Sequence, residues 1–245
     1  MNKLDIKVYG VHQRDFLIKP FKEKLNLSDK DIIYDDRPNG GKVLYTFEKA
    51  FTQPFGDITH RLCFPDDMVV CDNFMNIINR VINAQGDKII YLFPWNMRER
   101  EKLFINDLTP YKEHSRTICG NGIILPKQFI IDFFDWVHNK YSLDDYEKTT
   151  EEIVLMKWAR LNNIKVITTV PSLVQHIGDD YGTTLPQYNP NGIIRKTQFF
   201  QQNVDESINW DSKDYVPCIN TKEGLEYKSK KLILERRHKI GNNLF

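Results

Sequence analysis

Through the first 180 or so residues, short β-branched and aromatic runs alternate with segments whose apolar residues recur at helical spacing. No other feature constrains the fold as much. A parallel strand pair needs a crossover, and a helix is the usual one, so strand–helix alternation predicts an α/β fold. "IKVYGV" (6–11), "DIIYDD" (31–36), "HRLCFPDD" (60–67), "DKIIYLFP" (87–94) and a strand within "IKVITTVPSLVQHIG" (164–178) read as strands. Helices are predicted in 14–27, with Pro20 marking the start, and in 43–51, 71–86, 127–141 and 150–163, the last with Thr150 as N-cap. "TICGNGIILP" (117–126) holds a glycine turn and a short apolar run. The expected architecture is a Rossmann-like α/β domain over 1–182, its sheet mainly parallel and flanked by helices. Residues 183–227 are polar and loop-like, and "LEYKSKKLILERRHKIG" (225–241) reads as a basic helix, so 183–245 is expected to be a C-terminal extension.

Composition excludes little. A net charge of +1 gives no global basic field that would announce nucleic acid, and no acidic field against it. The cysteines Cys63, Cys71, Cys119 and Cys218 form no CxxC pair and have no histidine at zinc-finger spacing. They read as reduced thiols, which fits a cytoplasmic protein. "MNKLDIKVYG" is charged and strand-like rather than a signal peptide, and no apolar run approaches the roughly 20 residues that span a bilayer, so no membrane insertion is expected.

In an open α/β sheet, ligands bind at the carboxyl ends of strands. Asp35, Asp36, Asp66 and Asp67 all fall there. Asp66–Asp67 beside apolar residues demands compensation. A hard cation such as Mg2+ or Mn2+ would supply it, since such ions pair one or two carboxylates with substrate phosphates; a solvated acidic turn is the alternative. His176, in "PSLVQHIG", follows a strand and precedes Gly178, Asp179 and Asp180; a histidine with a carboxylate suits Mn2+. "DDRPNGGK" (35–42) offers acids for a base or ribose, glycines for close backbone approach and Lys42 for phosphate, or else a simple β-turn. Glu151 and Glu152 open a helix, where the dipole stabilises them; a general base is the functional alternative. "GNGIILP" (120–126) is either an acceptor-side wall or a turn.

In order, these stretches resemble a GT-A type glycosyltransferase over roughly residues 4–180. The most specific part is the paired acids Glu151–Glu152 opening a helix with Leu155 and Trp158, followed by Pro171, Ser172, Leu173, Val174 and His176. The resemblance implies a nucleotide-diphosphate sugar as donor and Mn2+ or Mg2+ as cofactor. It places Asp67 and His176 at the metal and Asp66 at the sugar nucleotide. His12, Arg14, Asp35, Asp36 and Lys42 would line the nucleotide, and Glu152 or Glu151 would be the base of an inverting displacement. "PDDM" departs from a strict DxD, and the last sixty residues match no part of the family pattern. The acceptor would be a glycan, a lipid-linked sugar, a protein, or modified DNA, as in phage enzymes that glycosylate hydroxymethylated bases; a phage-encoded chain would work in the host cytoplasm. Lys230, Lys231, Arg236 and Arg237 in the basic segment suit a polyanionic acceptor, or a solvated amphipathic helix. Two other classes share parts of this pattern. A nucleotidyltransferase would carry an N-terminal glycine-rich basic signature that "VYGVHQRD" lacks, and a non-catalytic nucleotide-sugar-binding module would not need both the Asp66–Asp67 pair and Glu152.

Overall fold

The computed structural model describes residues 2–37, 43–93, 109–113, 121–142, 150–182, 196–197 and 200–217. Seven strands form one sheet in the order β2-β1-β3-β7-β5-β8-β6. They are β1 (Leu4–Gly10), β2 (Ile32–Tyr34), β3 (His60–Pro65), β5 (Ile89–Tyr91), β6 (Tyr111–Glu113), β7 (Ile123–Pro126) and β8 (Val166–Thr169). Two more, β4 (Met68–Val70) and β9 (Val174–His176), form a separate antiparallel ribbon.

The α/β reading holds: β1, β2, β3, β5 and β8 run the same way, and β6 and β7 are reversed, so the sheet is mostly parallel with two antiparallel strands mixed in. β1 runs parallel to β2 and β3, and β5 to β8. β7 is antiparallel to both β3 and β5, and β6 to β8. Both reversed strands start at the carboxyl edge of their neighbours. Leu92, just past β5, donates its N–H to Gly122 O, and Val170, just past β8, donates to Pro110 O. A chain that starts a strand at that edge can only run back.

Helices cover both faces. Alternate strand residues Ile6, Val8, Leu62, Phe64, Ile90 and Ile167 pack on α1 (Asp15–Leu25) and α3 (Phe74–Gln85). The opposite set, including Tyr9, Ile33, Cys63, Tyr91 and Ile123, packs on α2 (Val43–Phe51), α4 (Lys127–Lys140) and α5 (Glu151–Leu161). This is the period-2 alternation of a sheet buried on both sides.

One local expectation is corrected. α1 starts at Asp15, not Pro20, and Pro20 sits inside it. The proline removes the donor to the Phe16 carbonyl, but Phe16 and Pro20 both lie on the exposed face, where water can serve that group. The strand expected within 164–178 is β8. β8 ends at Thr169, and the chain turns through Pro171 into β9, which leaves the main sheet to pair with β4. At α5, Thr150 does take the N-cap position, although its side chain makes no capping hydrogen bond.

Residues 200–217 pack into the same core. Val204 and Trp210 are buried with the α1–α3 layer. Asn73 Nδ2 donates to Val204 O at 2.6 Å, and Gln85 Nε2 to Ser212 O at 2.8 Å. The predicted basic helix at 225–241 lies outside the described residues.

Arg61 on β3 is fully buried, which its residue type does not suggest. Its guanidinium donates to Asp5 Oδ2 at 2.7 Å, to Phe51 O at 2.5 Å, to Gln53 O at 2.6 Å and to Pro54 O at 3.0 Å. It thereby ties the end of α2 to the sheet. Arg61→Ala leaves three carbonyls without their donor and removes one of the two cations on Asp5, which keeps Lys7 Nζ at 3.2 Å, and is expected to cost about 3–5 kcal/mol, as for breaking a buried ion pair. Urea unfolding measures this, and a loss below about 1 kcal/mol, the level of an exposed pair, would show that the contacts are not coupled to folding.

Candidate functional site

The three neighbouring strands β2, β1 and β3 are parallel, so their carboxyl ends lie side by side. The register pairs Gly10 with Tyr34 and Tyr9 with Pro65. Asp35, the loop Val11–Arg14 and Asp66–Asp67 therefore emerge together along one edge. Gly10 is required there, because a Cβ would fall 2.1 Å from Asp66 Oδ2.

The β4–β9 ribbon brings in the remaining part. Met68 is registered opposite His176, and Ile177 N donates to Asp67 O at 2.9 Å. Asp67 and His176, more than a hundred residues apart in sequence, thus become neighbours, with His176 Nε2 3.3 Å from Asp67 Oδ2. Gly178 is a second clearance glycine: a Cβ there would lie 2.4 Å from Asp67 Oδ2. Asp179 Oδ2 stands 3.4 Å from His176 Nδ1 on the ring's other side.

Asp66 and Asp67 are both buried, so their charges are not left to water. Arg14 Nη1 donates to Asp66 Oδ1 at 2.7 Å and to Asp67 Oδ2 at 3.3 Å. Val11 N donates to Asp66 Oδ2 at 3.0 Å. Burial nonetheless dominates at Asp66. It pushes the carboxyl up to about 6, against the pull of Arg14 and with a further push from Asp67. A site that holds a carboxylate at this cost favours additional positive charge.

The β2 end is organised differently. Burial would raise Asp35, but hydrogen bonds from Arg37 and Thr46 outweigh it and hold the carboxyl down to about 2. Arg37 Nε meets Oδ1 at 2.8 Å and Nη2 meets Oδ2 at 2.6 Å, a two-point clasp. The Arg37 guanidinium also lies 4.3 Å from the Tyr45 ring centroid. His12 stacks on Tyr34 with centroids 3.7 Å apart and planes at 17°. Asp36 is exposed and pairs with Lys49 Nζ at 3.0 Å. An aromatic pair beside polar groups is chemically suited to a nucleobase and ribose.

Glu151 and Glu152 occupy the first turn of α5. Glu151 is buried, and burial, followed by the charge of Glu152, pushes its carboxyl well above the ordinary range. Tyr9, at the end of β1, links this helix to the acid pair. Its phenol is raised first by burial, then by Glu151, Cys63, Glu152 and Asp67, so both acidic groups act on one buried ring. Asn121, in the predicted glycine turn, is buried, and Gly122 has φ +82 in the left-handed region glycine favours.

The structure therefore brings Arg14, Asp66, Asp67 and His176 into one cluster, with His12, Asp35 and Asp36 beside it. Lys42, Lys230, Lys231, Arg236 and Arg237 lie outside the described residues. Sequence reasoning did not assign Gly10, Arg37, Gly178 or Asp179 to the site. The string His-Ile-Gly-Asp at 176–179 and the glycine ending β1 were the available signals.

Among the described residues, no group of three or more His, Cys, Asp or Glu side chains is arranged to hold a metal ion. An open site has a different requirement. Mg2+ and Mn2+ in nucleotide sites are held by one or two carboxylates, the rest of the shell being phosphate and water. Asp67 and His176 supply a hard oxygen and an imidazole nitrogen 3.3 Å apart, close to the roughly 3 Å between adjacent donors of an octahedral ion with bonds of about 2.1 Å. The donor set fits such an ion, with Arg14 as a resident cation next to it. The described residues contain no helix long and apolar enough to cross a membrane. The sequence matches no protein-family model, and a search of curated proteins returns no match.

Proposed function

We infer that this protein is a glycosyltransferase of GT-A type, moving a sugar from a nucleotide-diphosphate donor to a hydroxyl acceptor. One observation carries the reading: two distant segments, 66–67 and 174–179, meet at the carboxyl edge and set Asp67 against His176, with Arg14 bridging the acids. His12 and Tyr34 provide a face for the base, and the Asp35–Arg37 clasp stands beside it. Arg14, two residues after His12 and bonded to both acids, would meet the diphosphate. A divalent ion held by Asp67 and His176 would supply charge neutralisation of the leaving diphosphate.

The two glutamates then take different roles. Burial, followed by the charge of Glu152, pushes the Glu151 carboxyl well above its ordinary range, which favours the neutral form, a poor proton acceptor. Glu152, less buried and in the first turn of α5, where the helix dipole favours a carboxylate, is the group that would take the proton from the acceptor hydroxyl. The acceptor reading rests on sequence alone. The basic segment 225–241 favours a polyanion such as DNA bearing hydroxymethylated bases, with a glycan or protein as the other branch.

A thermal-shift panel of nucleotide sugars, with and without Mn2+, tests donor binding. A true donor at one hundred times its Kd is expected to add about 2.7 kcal/mol of stability. A shift by nucleoside monophosphates alone, with none from any diphosphate sugar, would instead favour a nucleotide-binding module.

A further inference from the structure

Phe16 breaks the pattern of its helix. Leu17, Ile18, Phe21 and Leu25 put the apolar stripe of α1 in the core, and Phe16 stands on the other side, 55 % exposed. Tyr181 is 61 % exposed. The two rings meet, with centroids 5.9 Å apart and planes at 70°. Single exposed aromatics need no explanation, whereas two that touch form an apolar patch. Its place in the chain is specific. Phe16 comes two residues after Arg14, whose guanidinium holds Asp66 and Asp67, and Tyr181 two residues after Asp179, which faces His176. The patch therefore joins the two segments that frame the acid cluster. Both rings stand on held backbone. Phe16 is in the first turn of α1. Tyr181 is in a turn closed by Asp180 N to Ile177 O at 3.0 Å and Gly182 N to Asp179 O at 3.4 Å, and Lys196 Nζ ties Asp180 at 2.8 Å.

We propose that Phe16 and Tyr181 receive a pyranose ring of a saccharide acceptor at the mouth of the Asp66–Asp67 site. Shape selects a sugar over a base. Bases stack on aromatic faces that lie parallel to them. Rings at 70° instead make a corner, where a puckered ring can lay its C–H face on one ring and its side against the other. An aromatic face carries negative charge density, which attracts such C–H groups. Charge points the same way. Within three positions of either ring lie the acids Asp15, Asp179 and Asp180 and the bases Arg14 and Lys19, and Lys196 pairs with Asp180. These charges balance, so they offer no net attraction to a phosphate backbone. The carboxylates are also acceptors for sugar hydroxyls. The inference rests on the glycosyltransferase reading for the word acceptor, and it takes the glycan branch of that reading; contact with the sugar ring is a property of the patch itself.

Two measurements on the full chain separate these points. The first is saturation-transfer NMR without any donor. The probes are methyl glycosides of glucose, galactose and N-acetylglucosamine, with thymidine and hydroxymethyldeoxycytidine as the competing rings. At least one glycoside is expected to take up saturation on the protons of one ring face. Phe16→Ala and Tyr181→Ala are expected to reduce that signal several-fold, and Tyr181→Phe, which keeps the ring, to preserve it. Both side chains are more than half exposed, so the variants should keep the wild-type Tm. No signal on any glycoside, a signal that neither alanine variant changes, or a stronger ring-dependent signal on the nucleosides overturns the proposal. The second is acceptor kinetics, using whichever nucleotide sugar the wild type hydrolyses. The alanine variants are expected to raise the KM for the best glycoside roughly 3–10-fold, the loss of one aromatic contact, and to leave acceptor-free hydrolysis at the wild-type rate. An unchanged KM with hydrolysis intact overturns the acceptor role of the patch and leaves the glycosyltransferase reading standing. A wild type that hydrolyses no donor, yet shows the ring-dependent glycoside signal, overturns the glycosyltransferase reading and leaves Phe16 and Tyr181 as a sugar-binding surface.

Discussion

Glu152→Gln is expected to retain donor binding and to lose about 10²–10⁴-fold in transfer, the usual contribution of a general base. The amide preserves the size of the side chain and its place in the first turn of α5, so the helix and the core beneath Val154, Leu155 and Trp158 are undisturbed. Glu151→Gln should behave differently. It replaces a carboxyl whose neutral form burial favours with an amide of the same size, so transfer should stay within a few-fold of wild type. It also removes a group that raises the neighbouring Tyr9 phenol, which cannot weaken the fold at neutral pH, where Tyr9 is un-ionised in either case. Single-turnover transfer rates at saturating donor check this pair. Persistence of transfer in Glu152→Gln together with its loss in Glu151→Gln would reverse the assignment.

Asp67→Asn is expected to abolish the Mn2+ dependence of nucleotide-sugar binding while leaving the fold in place. Asparagine keeps the volume, and the Asp67 backbone carbonyl still accepts from Ile177 N. What disappears is a ligand charge, so the loss of Mn2+ affinity should exceed the 10–100-fold expected for an outer partner. The variant should also make Asp66 more acidic, because the Asp67 charge is one of the groups that push it up. For the unliganded protein the sign follows directly. A carboxyl raised on folding favours the folded state at low pH and loses that advantage as pH climbs from the unfolded value towards about 6. Easing the rise in Asp66 should therefore make the variant less sensitive to pH between about 4 and 6. An unchanged Mn2+ response by calorimetry would remove Asp67 from the metal.

Much of the fold was legible in the sequence because its strands are β-branched and buried on both faces. β1, β2, β3, β5 and β8 fall where the apolar runs predict them. The direction of β7 was not legible. Periodicity reports which face a residue occupies, not which way the strand runs, and only the position of residues 121–122 at the carboxyl edge decides it. Nor was the β4–β9 ribbon. Three-residue strands such as Met68–Val70 are too short for a pattern, and the pairing that brings His176 to Asp67 is a tertiary event. Pro20 misled because a proline's cost depends on whether its orphaned carbonyl meets water, which is a matter of burial.

At the site, the acids and the histidine were legible by residue type and by their place at strand ends. Their compensation was not. Arg14 was expected at the nucleotide, and the structure sets its guanidinium on Asp66 and Asp67. Asp35 was expected to face the ligand directly, whereas both its oxygens are engaged by Arg37. The Arg14 pairing depends on side-chain reach across neighbouring strands, and the Asp35–Arg37 clasp on how the chain turns after β2; neither is written in residue type alone. The same limit applies to Arg61, whose burial is satisfied by carbonyls of a turn at residues 51–54.

The central claim is that the Asp66–Asp67 edge breaks the bond between a sugar and a nucleotide diphosphate. Acceptor-free hydrolysis tests it most directly. Purified protein with Mn2+ is incubated with a panel of uridine, guanosine and thymidine diphosphate sugars, and release of the nucleoside diphosphate is followed. Slow release from at least one donor is expected for the wild type, falling to background in Asp67→Asn. Release indistinguishable from background across the whole panel, in a wild-type protein that is folded and has bound the sugar nucleotide, would contradict the account.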